Sequence, residues 1–163
     1  SDVLTIIIPR HINRVEKVKK DLINLNLKVA LLSDINKFEL DTDILIVDSY
    51  GKSLIFYNIA KYVFLGKSLI EKLANDSGQN PIEPAKLGCK IFHGAHVSNF
   101  IEIYSYFKKL NISMEVEDYK KLGLALIDEF RVDGEKNYKI AEEIEDYGHN
   151  ILNNVIMELK KYI

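Results

Sequence analysis

Little in this chain points to a chemistry by itself. It carries one cysteine, three prolines, two methionines and no tryptophan in 163 residues. The lone cysteine, Cys89, rules out an internal disulfide and fits a reducing compartment. No apolar run approaches the ~20 residues that a bilayer-spanning helix needs, and the start does not resemble a signal peptide. Twenty-two Lys and Arg stand against 24 Asp and Glu, a net charge of −2, so charge gives no reason to expect nucleic acid or an anionic membrane as partner. The missing motifs narrow the chemistry further. Neither Gly-x-Gly-x-x-Gly nor Gly-x-x-x-x-Gly-Lys-Ser occurs, which disfavours dinucleotide and P-loop functions. No serine or cysteine stands in a nucleophile elbow, and covalent catalysis is not expected. His93 and His96, with His11 elsewhere, have no carboxylate at matching spacing, and no metal site is expected. There is no internal repeat and no low-complexity segment.

What is present is the composition of a soluble globular domain, 47% hydrophobic and 28% charged. The length suits one domain that buries roughly 70% of its unfolded surface. The chain starts within a residue or two of an apolar strand, so we expect it to be cut from something longer.

Six apolar stretches read as strands: Val3 to Ile8, Leu27 to Leu32, Asp43 to Asp48, Tyr62 to Leu65, Cys89 to Phe92 and, more weakly, Ile112 to Val116. Between them lie helical patterns from Asn13 to Asn24, after Gly51, from Asn80 to Gly88, and from Ser98 to Leu110. From Glu117 the chain reads as all helical: one helix to about Val132, another from about Gly134, and a third towards Ile163. Apolar strands alternating with amphipathic helices predict an α/β fold, a Rossmann-like, doubly wound parallel sheet of about six strands with a helical tail over about 117–163, as one domain over 1–163. In such a sheet ligands bind beyond the carboxyl ends of the strands. The polar stretch from about Glu71 to Gln79 is expected to be a mobile loop.

The loops at those ends hold the residues that could act on a ligand. Arg10, after the first strand, can clasp a carboxylate or phosphate in two parallel charge-assisted bonds. His11 either donates to the same anion or caps the next helix. Asp48-Ser49-Tyr50-Gly51 ends a strand and opens a helix, with Gly51 allowing close approach of the backbone. Gly66-Lys67-Ser68 offers a flexible cation and a hydroxyl. In Gly78-Gln79-Asn80-Pro81-Ile82-Glu83, Asn80 is a plausible N-cap, Pro81 suits the first helical position, and Glu83 lies in the first turn near the positive end of the helix dipole. Taken alone, that stretch is a well-capped surface helix.

In this order and spacing the loops resemble one family. Pro9-Arg10-His11, Asp48-x-x-Gly51, Phe64-Leu65-Gly66-x-Ser68-Leu69, Gly78-x-Asn80-Pro81-x-Glu83 and Gly94-x-x-x-x-Asn99-Phe100 are similar to the C-terminal half of the 3-deoxy-D-manno-octulosonic acid (Kdo) transferases. The resemblance runs from about Leu4 to Leu110. It implies the donor-binding half of a two-domain GT-B glycosyltransferase that attaches Kdo to the lipid A precursor in lipopolysaccharide biosynthesis, inverting and without metal or other cofactor. It also implies a CMP-Kdo site made by Arg10, His11, Ser49, Tyr50, Gly51, Gly66, Lys67, Ser68, Gly78, Gln79, Asn80 and Glu83. Arg10 would meet the donor's anionic groups, the Gly51 loop the nucleotide, Ser68 and Asn80 the phosphate, and Glu83 the ribose hydroxyls. No catalytic residue is expected in this chain. The base, the lipid A precursor site and the membrane anchor would belong to an N-terminal domain outside it. The whole protein would then work at the cytoplasmic face of a Gram-negative inner membrane, while this piece would be soluble. The chain departs from the family where Lys67 replaces a second glycine and Ser77-Gly78-Gln79 replaces Gly-Gly-His. Gln79 can donate a hydrogen bond but cannot give up a proton as an imidazolium does. A UDP- or GDP-sugar transferase half, or a stand-alone nucleotide-binding module, are the alternative readings.

Overall fold

A computed structural model describes residues 3–37, 39–72, 77–132 and 136–162. The chain divides into two compact units, 1–56 and 57–163. Each is built on its own three-stranded parallel sheet.

In the first unit β1 (Thr5–Ile7) and β2 (Val29–Leu31) flank β3 (Ile44–Ile46), with Ile6 and Ala30 both in register with Leu45. The apolar run that contains β3 is continuous because both of its faces are covered, and alternation of side chains sorts it. Ile44 and Ile46 pack on one side with Val15, Val18 and Leu22 of α1 (Val15–Ile23). Leu45 and Val47 pack on the other with Phe56 of α2 (Ser53–Ile59). The pattern expected from Asn13 to Asn24 divides into a short 3-10 turn, Ile12–Arg14, followed by α1.

In the second unit β4 (Tyr62–Phe64) and β6 (Ser113–Glu115) flank β5 (Lys90–His93). Ile91 faces a core shared by Ala85 of α3 (Ile82–Lys86), Tyr104 and Phe107 of α4 (Ile101–Lys109), and Ile140 and Ile144 of α6 (Lys139–Leu159). The Phe92 ring lies 6.4 Å from that of Tyr62, which meets Phe130 of α5 (Tyr119–Val132) edge-on at 5.2 Å. The Tyr62 hydroxyl donates to the Glu129 carbonyl at 3.0 Å, so α5 is tied to the sheet by its backbone as well. Asp118 opens α5, its carboxylate accepting the Lys120 and Lys121 amides at 2.8 Å. Asn26 and Asn111, both with positive φ, turn the chain from α1 towards β2 and from α4 towards β6.

All six expected strands form, and the α/β class with parallel sheets and flanking helices stands. Two features differ from the expectation. Among the described residues the ladders join the strands three and three rather than as one sheet of six. Where two helices are expected after Gly134, there is one of 21 residues, Lys139–Leu159. Gly148 sits inside it with open space around its α-carbon, and the apolar spacing through Ile140, Ile144, Ile151 and Val155 runs past it unbroken. Gly134 itself, and residues 73–76 of the expected mobile loop, lie outside the described residues.

Candidate functional site

The expected ligand-facing residues all lie at or after the carboxyl ends of strands. In the first unit β1 and β3 are neighbours, so Arg10 and His11 after β1 share a sheet end with Ser49, Tyr50 and Gly51 after β3. Arg10, His11 and Tyr50 are exposed, and Ser49 is partly buried. His11 occupies the N-cap position of the 3-10 turn, yet its side chain makes no capping bond; its carbonyl accepts the Arg14 amide at 3.1 Å. The capping role is therefore absent, and the ring is left for another use. Gly51 has φ +73, and a side-chain carbon there would meet nothing within 4 Å. Its backbone is open to close approach.

Beside this turn lies a cavity of about 400 Å³, with Leu32, Ile55 and Phe56 as its apolar lining and Ser33, Asp48, Ser49 and Lys52 as its polar one. Asp48 holds its shape. Its carboxylate accepts the Ser33 amide at 3.0 Å and the Ser33 hydroxyl in a short second bond, joining the ends of β2 and β3. The hydroxyl bond is the main reason that the Asp48 carboxyl titrates below its ordinary range. Ser33 stands in one of the strand-end loops where a ligand is expected, but its bond to Asp48 was not foreseen from the sequence, and Lys52 was not singled out. A serine after one strand and an aspartate after another, 15 residues apart, carry no mutual signal until the strands pair.

In the second unit the two expected loops are both held by the segment after β5. Gly66 is open, and Lys67 follows in the left-handed region at φ +68, where a side chain is strained. A glycine at this position would adopt the same backbone without that strain. Ser68 is fully buried. Its hydroxyl donates to the Leu65 carbonyl at 2.7 Å and accepts the Gly94 amide at 2.8 Å, while its carbonyl accepts the His96 amide at 2.9 Å. In this arrangement Ser68 shapes its loop from within, its hydroxyl enclosed and bonded to the backbone on both sides. Gly94 is required for this contact, since a side-chain carbon would lie 2.3 Å from the Ser68 carbonyl oxygen.

The loop from Ser77 to Glu83 is built as expected at its helix end. The Asn80 side-chain oxygen accepts the Ile82 amide at 3.0 Å, and Pro81 already has helical φ and ψ of −86 and −7. Glu83 is exposed in the first turn. Past α3 the Cys89 amide reaches the Pro84 carbonyl and the Gly88 amide the Ala85 carbonyl, the two bonds of a Schellman stop. Gly78, at φ +90, passes so close to the next segment that a side-chain carbon would lie 3.0 Å from the α-carbon of Val97. Gln79 is partly buried, and its carbonyl accepts the Tyr104 hydroxyl at 3.0 Å.

The remaining groups are structural. His93 is buried, bonded through Nδ1 to the Gly94 carbonyl and packed 4.2 Å from the Tyr104 ring, and burial lowers its pKa. Cys89 is fully buried, its sulfur 3.2 Å from the carbonyls of Tyr57 and Ala60, and burial raises its pKa away from the reactive thiolate. Among the described residues no three His, Cys, Asp or Glu could share a metal ion, and no helix is long and apolar enough to cross a membrane.

No family model matches the sequence. A bifunctional glycosyltransferase/methyltransferase of Fusobacterium nucleatum is 26% identical over 166 residues, covering 95% of this chain and 25% of that protein. A 3-deoxy-D-manno-octulosonic acid transferase of Haemophilus influenzae is 28% identical over 116 residues, covering 71% of this chain and 26% of that protein. The chain thus spans about a quarter of the length of these curated relatives. Among solved structures, the C-terminal CMP-Kdo binding domain of WaaA from Acinetobacter baumannii superposes with a TM-score of 0.68 at 26% identity, over 90% of this chain and 72% of that one.

Proposed function

We propose that this chain, related in sequence and fold to the C-terminal domain of the Kdo transferases, is the part of such an enzyme that binds the sugar nucleotide CMP-Kdo. The observation that carries this is the superposition on a CMP-Kdo binding domain over 90% of the chain. Residue chemistry supports it. Arg10 supplies a fork for the phosphate or the sugar carboxylate. Gly51 lets the backbone approach the nucleotide, with Ser49 and Tyr50 beside it. Glu83, an exposed acceptor-only carboxylate, suits the paired ribose hydroxyls. Within the second unit Lys67 offers a cation and Asn80 an amide to the donor, on loops to which Gly66, Gly78 and Gln79 belong. His11, released from capping, is a second donor near Arg10. Ser68 acts through its loop.

In the whole enzyme the acceptor hydroxyl of the lipid A precursor attacks the anomeric carbon of Kdo. The bond from that carbon to the phosphate oxygen breaks, CMP leaves, and the proton passes to a carboxylate on another domain. The present residues hold the donor and its leaving group. They do not activate the acceptor, so these 163 residues alone are expected to transfer no Kdo. On this reading the whole enzyme works at the cytoplasmic face of a bacterial inner membrane and makes its membrane contact through a part outside this chain.

The test is a CMP titration of the ¹⁵N-labelled chain followed by amide shifts, with UDP in parallel. Shifts at Arg10, Gly51 and Glu83 that saturate with CMP at lower concentration than with UDP are the expected result. Silence at those three amides, or a preference for UDP, overturns the reading. Measurable Kdo transfer by the chain alone overturns the assignment of the base elsewhere.

A further inference from the structure

The loop that carries Asn80 and Glu83 is fastened at two points to the segment that opens and builds α4. At its start, Ser77 is fully buried; its amide donates to the Ser98 hydroxyl at 3.3 Å, and its carbonyl accepts the Asn99 amide at 3.2 Å. At its centre, the Gln79 carbonyl accepts the Tyr104 hydroxyl at 3.0 Å. Tyr104 is itself immobilised, being 3% exposed and in ring contact with His93 at 4.2 Å. Its phenol pKa is pushed up by burial, so the hydroxyl stays a donor at any working pH. Between the two points Gly78 lies against the Val97 backbone. The cap bond from Asn80 to Ile82 begins one residue after the Gln79 anchor.

We infer that Tyr104 and Ser98 are positioning residues for donor binding: they set the path of the Ser77–Glu83 loop so that Asn80 and Glu83 face the ligand together. This rests on the functional reading above. Neither side chain needs to touch the ligand. A loop free to rotate at Gln79 spends part of its time with the amide and the carboxylate apart, and the apparent affinity falls by that fraction.

The experiment compares the ¹⁵N-labelled full chain with Tyr104→Phe and Ser98→Ala, using CMP as the probe. Tyr104→Phe keeps the ring and removes one hydrogen bond, a loss that corresponds to about two- to tenfold weaker CMP binding. In the free protein the amides of Gln79, Asn80, Ile82 and Glu83 are expected to move while those of β4, β5 and β6 stay in place. Ser98→Ala removes the side-chain bond to the Ser77 amide at the other end of the loop and leaves the Asn99 amide on the Ser77 carbonyl; it is expected to show the same pattern in weaker form, and decides the matter if Tyr104→Phe does not fold. Wild-type affinity in a folded variant overturns the inference and leaves the CMP reading intact. Weaker binding with shifts spread through the sheet also overturns it, because the residues would then be serving the fold in general. A wild type that ignores CMP overturns the functional reading instead.

Discussion

Glu83 and Lys67 show how much a single position carries here. Glu83 stands exposed on the first turn of a helix that Asn80 caps. If it accepts the ribose hydroxyls, Glu83→Ala removes a charged hydrogen bond and weakens CMP binding by about 1.5–3 kcal/mol, measured by titration against the wild type. Lys67 tells the opposite story. At φ +68 its backbone carries left-handed strain that a glycine would not have. Lys67→Gly is therefore expected to raise stability by about 0.5–1 kcal/mol, since the relief outweighs the extra freedom of glycine in the unfolded chain. Urea denaturation checks it. Asp48 adds a pH dependence. Its pKa is depressed in the folded chain, so its contribution to stability is present above the ordinary carboxylate pKa and is lost as pH falls through the lower folded value. Ser33→Ala removes the main cause, and its unfolding midpoint should be less sensitive to acid below about pH 4 than that of the wild type.

Among the elements, β5 and the segment after it organise the second unit. Phe92 and Ile91 fill both faces of the sheet, and Gly94 then brings the backbone against Ser68. Gly94→Ala would force a carbon into a carbonyl oxygen that cannot rotate away. A loss of about 3 kcal/mol is expected, at the upper end for overpacking, readable as a drop in the urea midpoint. The strands themselves were legible from their β-branched apolar runs, and α3 from Asn80, Pro81 and Gly88, because caps and periodicity are local properties. The role of Ser68 was not legible. A hydroxyl in a loop after a strand looks the same in sequence whether it faces a ligand or, as here, bonds inward to Leu65 and Gly94. The bond from Tyr104 to Gln79 spans 25 residues and follows from packing alone.

At the scale of the whole molecule, α6 changes character along its length. Ile140 and Ile144 are buried in the core of the second unit, whereas Ile151, Leu152, Val155 and Leu159 are all exposed. Ile144→Ala should therefore cost about 2–5 kcal/mol, and Val155→Ser less than about 0.5, in parallel denaturation curves. Equal losses at the two positions would contradict this division. The periodicity of the tail reads the same for both halves of α6, since it reports which face is apolar and says nothing of what covers that face.

Sequence by itself determined the class of fold, the six strands, the caps of α3 and the family resemblance, since each is written in residue types at short spacing. Tertiary structure alone decided the rest. It paired the strands three and three and turned Ser68 inward. It locked Asp48 to Ser33 and tied the Asn80–Glu83 loop to Ser98 and Tyr104. The physical reason is common to all of these. A hydrogen bond or a packed contact between residues far apart in the chain has no local signature, and it comes into being only when the sheet sets their distance.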